Sequence, residues 1–471
     1  MSGYDSAYSG DYIPHKLRTL VNRMENYRVN HLKLQTESQT SASSSERIVV
    51  NMPSSGLVNL ASFTMSGKYK GTTATGTLPH CGIAGLIQRL DVTIGGQVID
   101  SISNYGQLYQ LLKNYTDSPA HNRQVALGQG IAASGTQQGG GELAAPMVNG
   151  TYGVIDDTST ATIKSSQEAI NQASARFMQN VSVAAAAELP FNYSNWLGLL
   201  GKDCYLQLET LPAPIQVVIT LDSKKCLGGA GTADFELNSL YFKIDAVEFP
   251  KLTNSLAAVL SANQPVPIPF TRWVNFNFSN SAGAVIANRF SIATQCLSKI
   301  WVNAVKQTNY AQAAAADARN NLQFVSDCDS STDWYLEVDN RRTSQYNIDQ
   351  EVEGYDWIQN ELGVKGDLDY DNLLSGMGEF STATNTDGNK ADYGTNNFFN
   401  SAWAVVFNLG FNDYDHDDYN NISGINTAGL SSSVVINALK GYQSADHQTN
   451  VFAETKAILN VMPNRVISVD Y

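Results

Sequence analysis

The sequence predicts an all-β chain made of two similar halves, and three observations carry that prediction. Stretches such as Tyr205-Leu-Gln-Leu-Glu and Ile215-Gln-Val-Val-Ile-Thr-Leu alternate apolar and polar residues, the period of a strand that buries one face. They belong to ELPFNYSNWLGLLGKDCYLQLETLPAPIQVVITL, from Glu188 to Leu221, which reads as a strand end, an aromatic-rich crossing turn and two strands joined by a Pro-Ala-Pro bend. A diluted copy follows half a chain later: Leu189-Pro-Phe-Asn is echoed by Leu409-Gly-Phe-Asn, and Val217-Val-Ile by Val434-Val-Ile. Charged residues make up 16% of the chain while hydrophobic residues make up 43% and aromatics 10%. That balance suits strands, polar loops and surfaces covered by neighbours, because interfaces shed Lys and Glu and gain Tyr and Phe.

Taken in order, residues 1–12 are Gly, Ser, Tyr and Asp and read as a loose tail. From Pro14 to Leu34, the positions Leu17, Leu20, Val21, Met24, Tyr27 and His31 fall at helical spacing. This stretch is locally basic, with Lys16, Arg18, Arg23, Arg28 and Lys33 against Glu25. It reads either as a helix packed beneath the first domain or as an arm touching an anionic layer of lipid headgroups or packaged nucleic acid. Residues 1–45 form this arm, 46–255 the first domain and 256–471 the second.

In the first domain, Ile48-Val-Val-Asn-Met and Val58-Asn-Leu-Ala-Ser-Phe-Thr-Met are strands separated by a Pro-Ser-Ser-Gly turn. Leu90, Val92 and Ile94 continue the alternation, and Gly95-Gly96 supplies the positive φ angles of a tight hairpin. Tyr105 to Tyr115 reads as a short helix with Leu108, Leu111 and Leu112 on one face. Residues 116–180 are rich in Gly, Ala, Ser and Gln and read as a surface insertion. Phe235 to Phe249 is a further strand pair, Lys251 to Ser261 a helical connector, and Pro265, Pro267 and Pro269 mark the domain boundary.

The second half repeats the order. Val274-Asn-Phe echoes Val50-Asn-Met, and Phe290-Ser-Ile echoes Phe63-Thr-Met. Trp334-Tyr-Leu-Glu-Val runs through a turn near Asn340 to a helix beginning at Glu353, as Leu90-Asp-Val runs through Gly95-Gly96 to the helix at Tyr105. The polar insertion 363–397 matches 116–180. Four echoes in one order argue for tandem duplication.

Composition excludes several functions. A net charge of −14 is wrong for a general nucleic-acid binder, which neutralises phosphate with Lys and Arg. Cys81, Cys204, Cys226, Cys296 and Cys328 are odd in number and lack CxxC spacing, as expected of free thiols in a protein folded in a reducing compartment. No N-terminal apolar signal segment is present, and no apolar run reaches the ~18 residues of a membrane span. The sequons at Asn114 and Asn192 are accordingly expected to be unused.

Candidates for chemistry are few. Asp413-Tyr-Asp-His-Asp-Asp and Asp367-Leu-Asp-Tyr-Asp-Asn are dense in carboxylates but lack the spacing of a calcium loop, and read as solvated acidic loops. His15, His31, His80, His121, His416 and His447 are scattered, with no HExxH, and no GxSxG elbow occurs. Glu188, Glu209 and Glu248 lie on or near strands, where edge and solvent-facing roles explain them better than paired catalytic carboxylates. Arg341-Arg342 is expected to pair with Asp339 or Glu337. The expectation is no catalytic residue, no metal and no cofactor.

The stretch LPFNYSNWLGLLGKDCYLQLETLPAPIQVVITL, together with LIQRLDVTIGGQVIDSISNYGQLYQLLKNY, resembles the double-jelly-roll major capsid proteins of icosahedral double-stranded DNA viruses, most of all the virophage and polinton-like kind. It departs from the larger viruses' pattern at Asn192-Tyr193, where they favour a more aromatic cluster. The resemblance spans residues 46–471 and implies two tandem eight-stranded jelly rolls, each of two packed sheets. It implies a structural protein without catalysis: a homotrimer closing head-to-tail into a pseudo-hexagonal capsomer that tiles a virion shell. Trimer interfaces above roughly 2,000 Å² are expected, with individually weak contacts between neighbouring capsomers. The insertions 116–180 and 363–397 would form towers or clasps. Penton and minor capsid proteins are the implied partners, and the arm with Lys16, Arg18, Arg23, Arg28 and Lys33 would face a membrane or the genome on the inside. The protein would be made in the host cytoplasm or nucleus and end in the virion. The alternative reading is a carbohydrate-binding or carbohydrate-active β-sandwich, which a signal peptide and paired cysteines would have favoured.

Overall fold

A computed structural model describes residues 28–471 apart from 117–181, 308–321, 362–402, 411–422 and shorter stretches at 73–75, 78–80, 184–187, 228–233, 325–332, 344–346, 350–351, 429–432, 440–441 and 443–445, with single positions at 38, 249 and 323. In the first half the strands are β1 (Arg28–Leu34), β2 (Ala42–Ser43), β3 (Arg47–Asn51), β4 (Leu57–Gly71), β5 (Gly76–Thr77), β6 (Ile87–Ile94), β7 (Gln97–Ser103), β8 (Ser182–Val183), β9 (Glu188–Tyr193), β10 (Tyr205–Gln207), β11 (Ile215–Leu221) and β12 (Phe235–Glu248), with helix α1 (Tyr105–Thr116). After the connecting helix α2 (Pro250–Ser261) come β13 (Val266–Asn280), β14 (Ile286–Ser291), β15 (Leu297–Lys306), β16 (Asp333–Val338), β17 (Arg341–Arg342), β18 (Ile348–Asp349), helix α3 (Val352–Glu361), β19 (Val405–Asn408), β20 (Ser433–Ala438), β21 (His447–Met462) and β22 (Val466–Asp470).

The two halves share one topology. The first has a sheet ordered β1-β12-β4-β10, with β9 alongside β4, opposite a sheet ordered β3-β11-β6-β7. The second has β13-β21-β15-β19 opposite β14-β20-β16-β17. Matching the orders pairs β1 with β13, β3 with β14, β4 with β15, β6 with β16, β11 with β20 and β12 with β21. In each sheet a strand from late in its half (β12, β11, β21 or β20) lies between two earlier ones, the crossover that defines a jelly roll. The ladders are antiparallel. Alternation then sends one set of residues inward: Ile48 and Val50 from β3, Phe63 and Met65 from β4, Phe270 from β13 and Ile436 from β20 are all buried in one apolar cluster that runs through both rolls. Trp334 and Trp403 fill the second roll, with ring centroids 5.3 Å apart and neither exposed.

Turn chemistry follows the sequence. Gly95 and Gly96 have φ of 59° and 83° and close the β6–β7 hairpin, with Ile94 opposite Gln97. Asp339 and Asn340, both at positive φ, make the matching turn in the second roll. Short side chains that bond locally tolerate the left-handed region, so Asp-Asn serves where the first roll uses glycine.

Four expectations are corrected. Residues 28–34 are not the end of an amphipathic helix but strand β1, paired along its whole length with β12 from Arg28 opposite Glu248 to Leu34 opposite Phe242. The first roll's sheet therefore starts ahead of residue 46, and the rest of the expected helix lies outside the described residues. Phe235–Phe249 is not a hairpin: β12 is one strand across Phe235–Glu248, with bulges between Asn238 and Tyr241 and between Lys243 and Asp245. The strand at Tyr205 ends at Gln207 and passes into a 3-10 turn over Leu208–Thr210. The echo between halves is also offset at its start, since Val274-Asn-Phe sits in β13, the counterpart of β1 rather than of β3.

Candidate assembly surfaces

The aromatic-rich stretch after β9 is anchored from several directions. Tyr193 Oη lies 2.8 Å from Tyr105 Oη and donates to the Asn195 carbonyl at 2.6 Å, while Tyr105 Oη accepts from the Leu197 N–H at 3.0 Å. Trp196 packs edge-on against Tyr193 at 4.7 Å, and its Nε1–H donates to the Phe63 carbonyl at 2.8 Å. Burial of both tyrosines with their polar ends satisfied raises their hydroxyl pKa values, desolvation being the main cause. This frame holds a 3-10 turn over Gly198–Gly201, which lies against β13 of the second roll.

That turn is part of a seam between the rolls. Asn104, at φ 52° after β7, donates through Nδ2 to Asn275 Oδ1 at 2.9 Å and Asn277 Oδ1 at 3.1 Å. Tyr115, at the end of α1, meets Trp301 of β15 at 6.1 Å between centroids. Tyr471 donates its hydroxyl to the Val98 carbonyl at 3.3 Å and carries the Arg272 guanidinium over its ring at 4.1 Å. Asn275 and Asn277 are out of phase with the inward-facing Phe276, so the face of β13-β21-β15 that looks away from its own core is the one covered by the first roll. On that face Asn450 Nδ2 donates to Asn303 Oδ1 at 2.9 Å, and both residues are buried. Burial pushes the nearby Glu454 carboxyl up, but Lys456, bonded at 2.8 Å, and Lys299 outweigh it and hold it below the usual range.

Asp100 of β7 is the seam's unusual charge. It is 2% exposed, and its Oδ2 accepts the Leu199 N–H at 2.9 Å while Oδ1 has no hydrogen-bond partner. Burial raises its pKa to about 6, against the lowering effects of the Leu199 N–H and Arg272. Gly198 has φ 72°, and a Cβ there would fall 2.1 Å from Asp100 Oδ2, so the turn approaches the carboxylate as only glycine allows.

The corresponding face of the first roll, on β1-β12-β4, is not covered by any other element among the described residues. Val29, His31 and Lys33 point outward, while Leu32 and Leu34 pack toward the core. His31 Nδ1 lies 2.6 Å from Asp245 Oδ1. Lys33 sits directly opposite Lys243, and both ammonium groups approach the Tyr241 ring, at 4.1 Å and 5.3 Å from its centroid.

Of the basic residues expected to act together, Lys16, Arg18 and Arg23 lie outside the described residues. Arg28 and Lys33 are both exposed on β1, but five positions apart they point to opposite faces of the strand, where a helix would have aligned them differently. Glu188 accepts from Lys68 at 2.7 Å, which holds its carboxyl low, and Glu248 accepts from Asn30 at 2.8 Å. These are cross-strand surface pairs. Arg341 and Arg342 make no ion pair among the described residues, contrary to expectation; Arg342 stacks instead on Tyr335 at 4.4 Å. The acidic runs 367–372 and 413–418 and Cys328 lie outside the described residues, and no group of metal-ligating side chains occurs among those described. Sequence reading missed Asn104, Asp100 and Lys243, whose roles come from pairing across the fold.

No family model and no curated protein matches the sequence. Solved structures do match in fold. A capsid structure of the virus PBCV-1 aligns with a TM-score of 0.59 at 10% identity over 97% of this chain and 99% of that one. The Faustovirus major capsid protein aligns at 0.54 and 8% identity, over 95% and 92%, and the mavirus major capsid protein at 0.53 and 11% identity, over 98% and 94%. Across nearly its whole length, this chain has the double-jelly-roll fold that these viral capsid proteins share.

Proposed function

We propose that the chain is a major capsid protein whose three copies close into a pseudo-hexagonal capsomer, and that such capsomers tile an icosahedral virion shell. The observation that carries the reading is the pair of rolls set side by side through a polar seam, in a fold that matches viral major capsid proteins over more than nine-tenths of both chains. Two rolls per chain turn a threefold ring into a six-cornered tile, and head-to-tail contacts satisfy themselves when the ring closes. The role is structural and needs no reaction. The insertions 116–180 and 363–397, which follow α1 and α3 in the sequence, would form towers or clasps. Lys16, Arg18 and Arg23 of the arm, with Arg28 at its root, would face membrane or genome, with penton and minor capsid proteins as further partners. Synthesis would take place in the host cytoplasm or nucleus.

Light scattering on the purified chain tests the proposal. A mass of three times 51.1 kDa with hexagonal outlines in negative stain is expected. A chain that stays at 51.1 kDa under every assembly condition would overturn it.

A further inference from the structure

The two rolls share a topology but treat equivalent faces differently. In the second, the outward face of β13-β21-β15 is closed by the first roll. In the first, no chain covers the outward face of β1-β12-β4 among the described residues, and that face carries Lys33 and Lys243 in direct cross-strand register. Like charges at opposite positions destabilise a sheet. Neither lysine has an ion-pair partner among the described residues; Lys243 Nζ reaches only Asn192 Oδ1 at 3.4 Å, and both lean over Tyr241. His31 with Asp245 and Lys68 with Glu188 flank the pair, already matched to their own carboxylates. An anionic segment laid across Tyr241 would turn the repulsion into attraction.

The duplication says which segment that is. Inside the chain, β13 is covered by the turn that follows β9, at Gly198–Gly201. The matching stretch of the second roll follows β19 and reads Asp413-Tyr-Asp-His-Asp-Asp, with carboxylates at Asp413, Asp415, Asp417 and Asp418. We propose that this acidic segment of one copy docks on the Lys33–Lys243 pair of the next, as the Gly198–Gly201 turn docks on β13 within the chain. The inference rests on the capsomer reading and supplies its ring contact: an intrachain seam alternates with a charged seam between copies, and three of each close the ring. Opposite charges across such a contact steer association and fix register.

Charge reversal on the full-length chain tests it, with oligomer mass and thermal unfolding both recorded. Both lysines are exposed, so the Lys33→Glu/Lys243→Glu variant is expected to keep a cooperative unfolding transition, with its temperature lowered only by the lost association, while its trimer weakens about tenfold or more. Adding Asp413→Lys, Asp415→Lys, Asp417→Lys and Asp418→Lys to the same chain is expected to restore the trimer, because every contact in the ring then carries the swapped pair. Wild-type trimer should also weaken as salt rises from about 0.1 M to about 1 M, where screening shortens from about 10 Å to about 3 Å. If the lysine variant trimerises like wild type, the inference falls while the capsomer reading stands; the same holds if it trimerises normally and loses only its binding to anionic lipid vesicles. A lysine variant that weakens but is not rescued by the swap overturns the acidic segment as occupant. A wild-type chain that never trimerises removes both.

Discussion

The outward faces of the two first sheets are built on the same strand order and made of different chemistry. On the second roll the face carries a group of asparagines, with Asn303 and Asn450 bonded to each other and Asn275 and Asn277 both bonded to Asn104, beside a Lys456 already matched to Glu454. On the first roll it is Lys33, Lys243 and Tyr241. A neutral amide tolerates permanent burial when its hydrogen bonds are met, whereas an ammonium taken out of water needs a counter-charge. Asparagine therefore marks a contact made once, as the chain folds. Lysine keeps the equivalent face wet and soluble until an anionic partner arrives.

The sharpest way to break this comparison is to truncate one aromatic on each face. Trp301, 1% exposed and packed on Tyr115, should cost about 3–5 kcal/mol as Trp301→Ala. Tyr241→Ala on the open face should change monomer stability by no more than about 0.5 kcal/mol. Denaturant midpoints of the two variants decide it, and equal losses would mean that the first roll's face is covered within the chain.

Next in size is Gly198→Ala. Its Cβ would need the place of Asp100 Oδ2, so a loss of about 2–4 kcal/mol is expected in urea unfolding. Gly283, at a similar φ of 74° but with nothing within 4 Å, should lose only about 1 kcal/mol as alanine. The difference between the two isolates the close approach at the seam from the backbone conformation.

Asp100 adds a pH dependence at the seam. Its folded pKa of about 6 lies above the unfolded value of 3.8, so the native state binds this proton more tightly than the unfolded chain does. Stability from this group is then greatest below the unfolded value and falls as pH rises toward and through 6. Asp100→Asn keeps an acceptor for the Leu199 N–H and removes the buried charge. It should stabilise the protein at pH 7 by about 2–3 kcal/mol and flatten the change between pH 4 and 6, as read from thermal unfolding across that range. Asn104→Ala is expected to cost about 1–2 kcal/mol for two seam hydrogen bonds, measured by the same unfolding.

Much of the fold was legible because strand alternation and turn glycines are local signals. β6, Gly95-Gly96, β7 and α1 could be read in order, and so could their counterparts from Trp334 to α3. β1 could not. Val29, His31 and Lys33 alternate with the inward-facing Leu32 and Leu34, but the strand is half exposed and continues a helical stripe from Leu17, so only its pairing with β12 decides its state. Misreading it shifted the start of the echo by one strand. The assembly surfaces were less legible still. Lys33 stands in the sequence as one basic residue among five, and its meaning comes from Lys243, far along the chain and directly across the sheet. Asp100 gave no signal in a stretch of ordinary alternation, since its burial depends on a turn contributed from Leu199.

In both first sheets the middle strand is the one synthesised late: β12 comes between β1 and β4, and β21 between β13 and β15. During translation β1 and β4 must wait for β12 before either ladder can form, with Arg28 held for Glu248. Such sequence-distant pairing slows folding and leaves strand edges open to strangers meanwhile. Each roll is thus a unit that snaps shut only when its own last strand has emerged. A ribosome paused in the β13–β20 region should carry a finished first roll beside an unfinished second one.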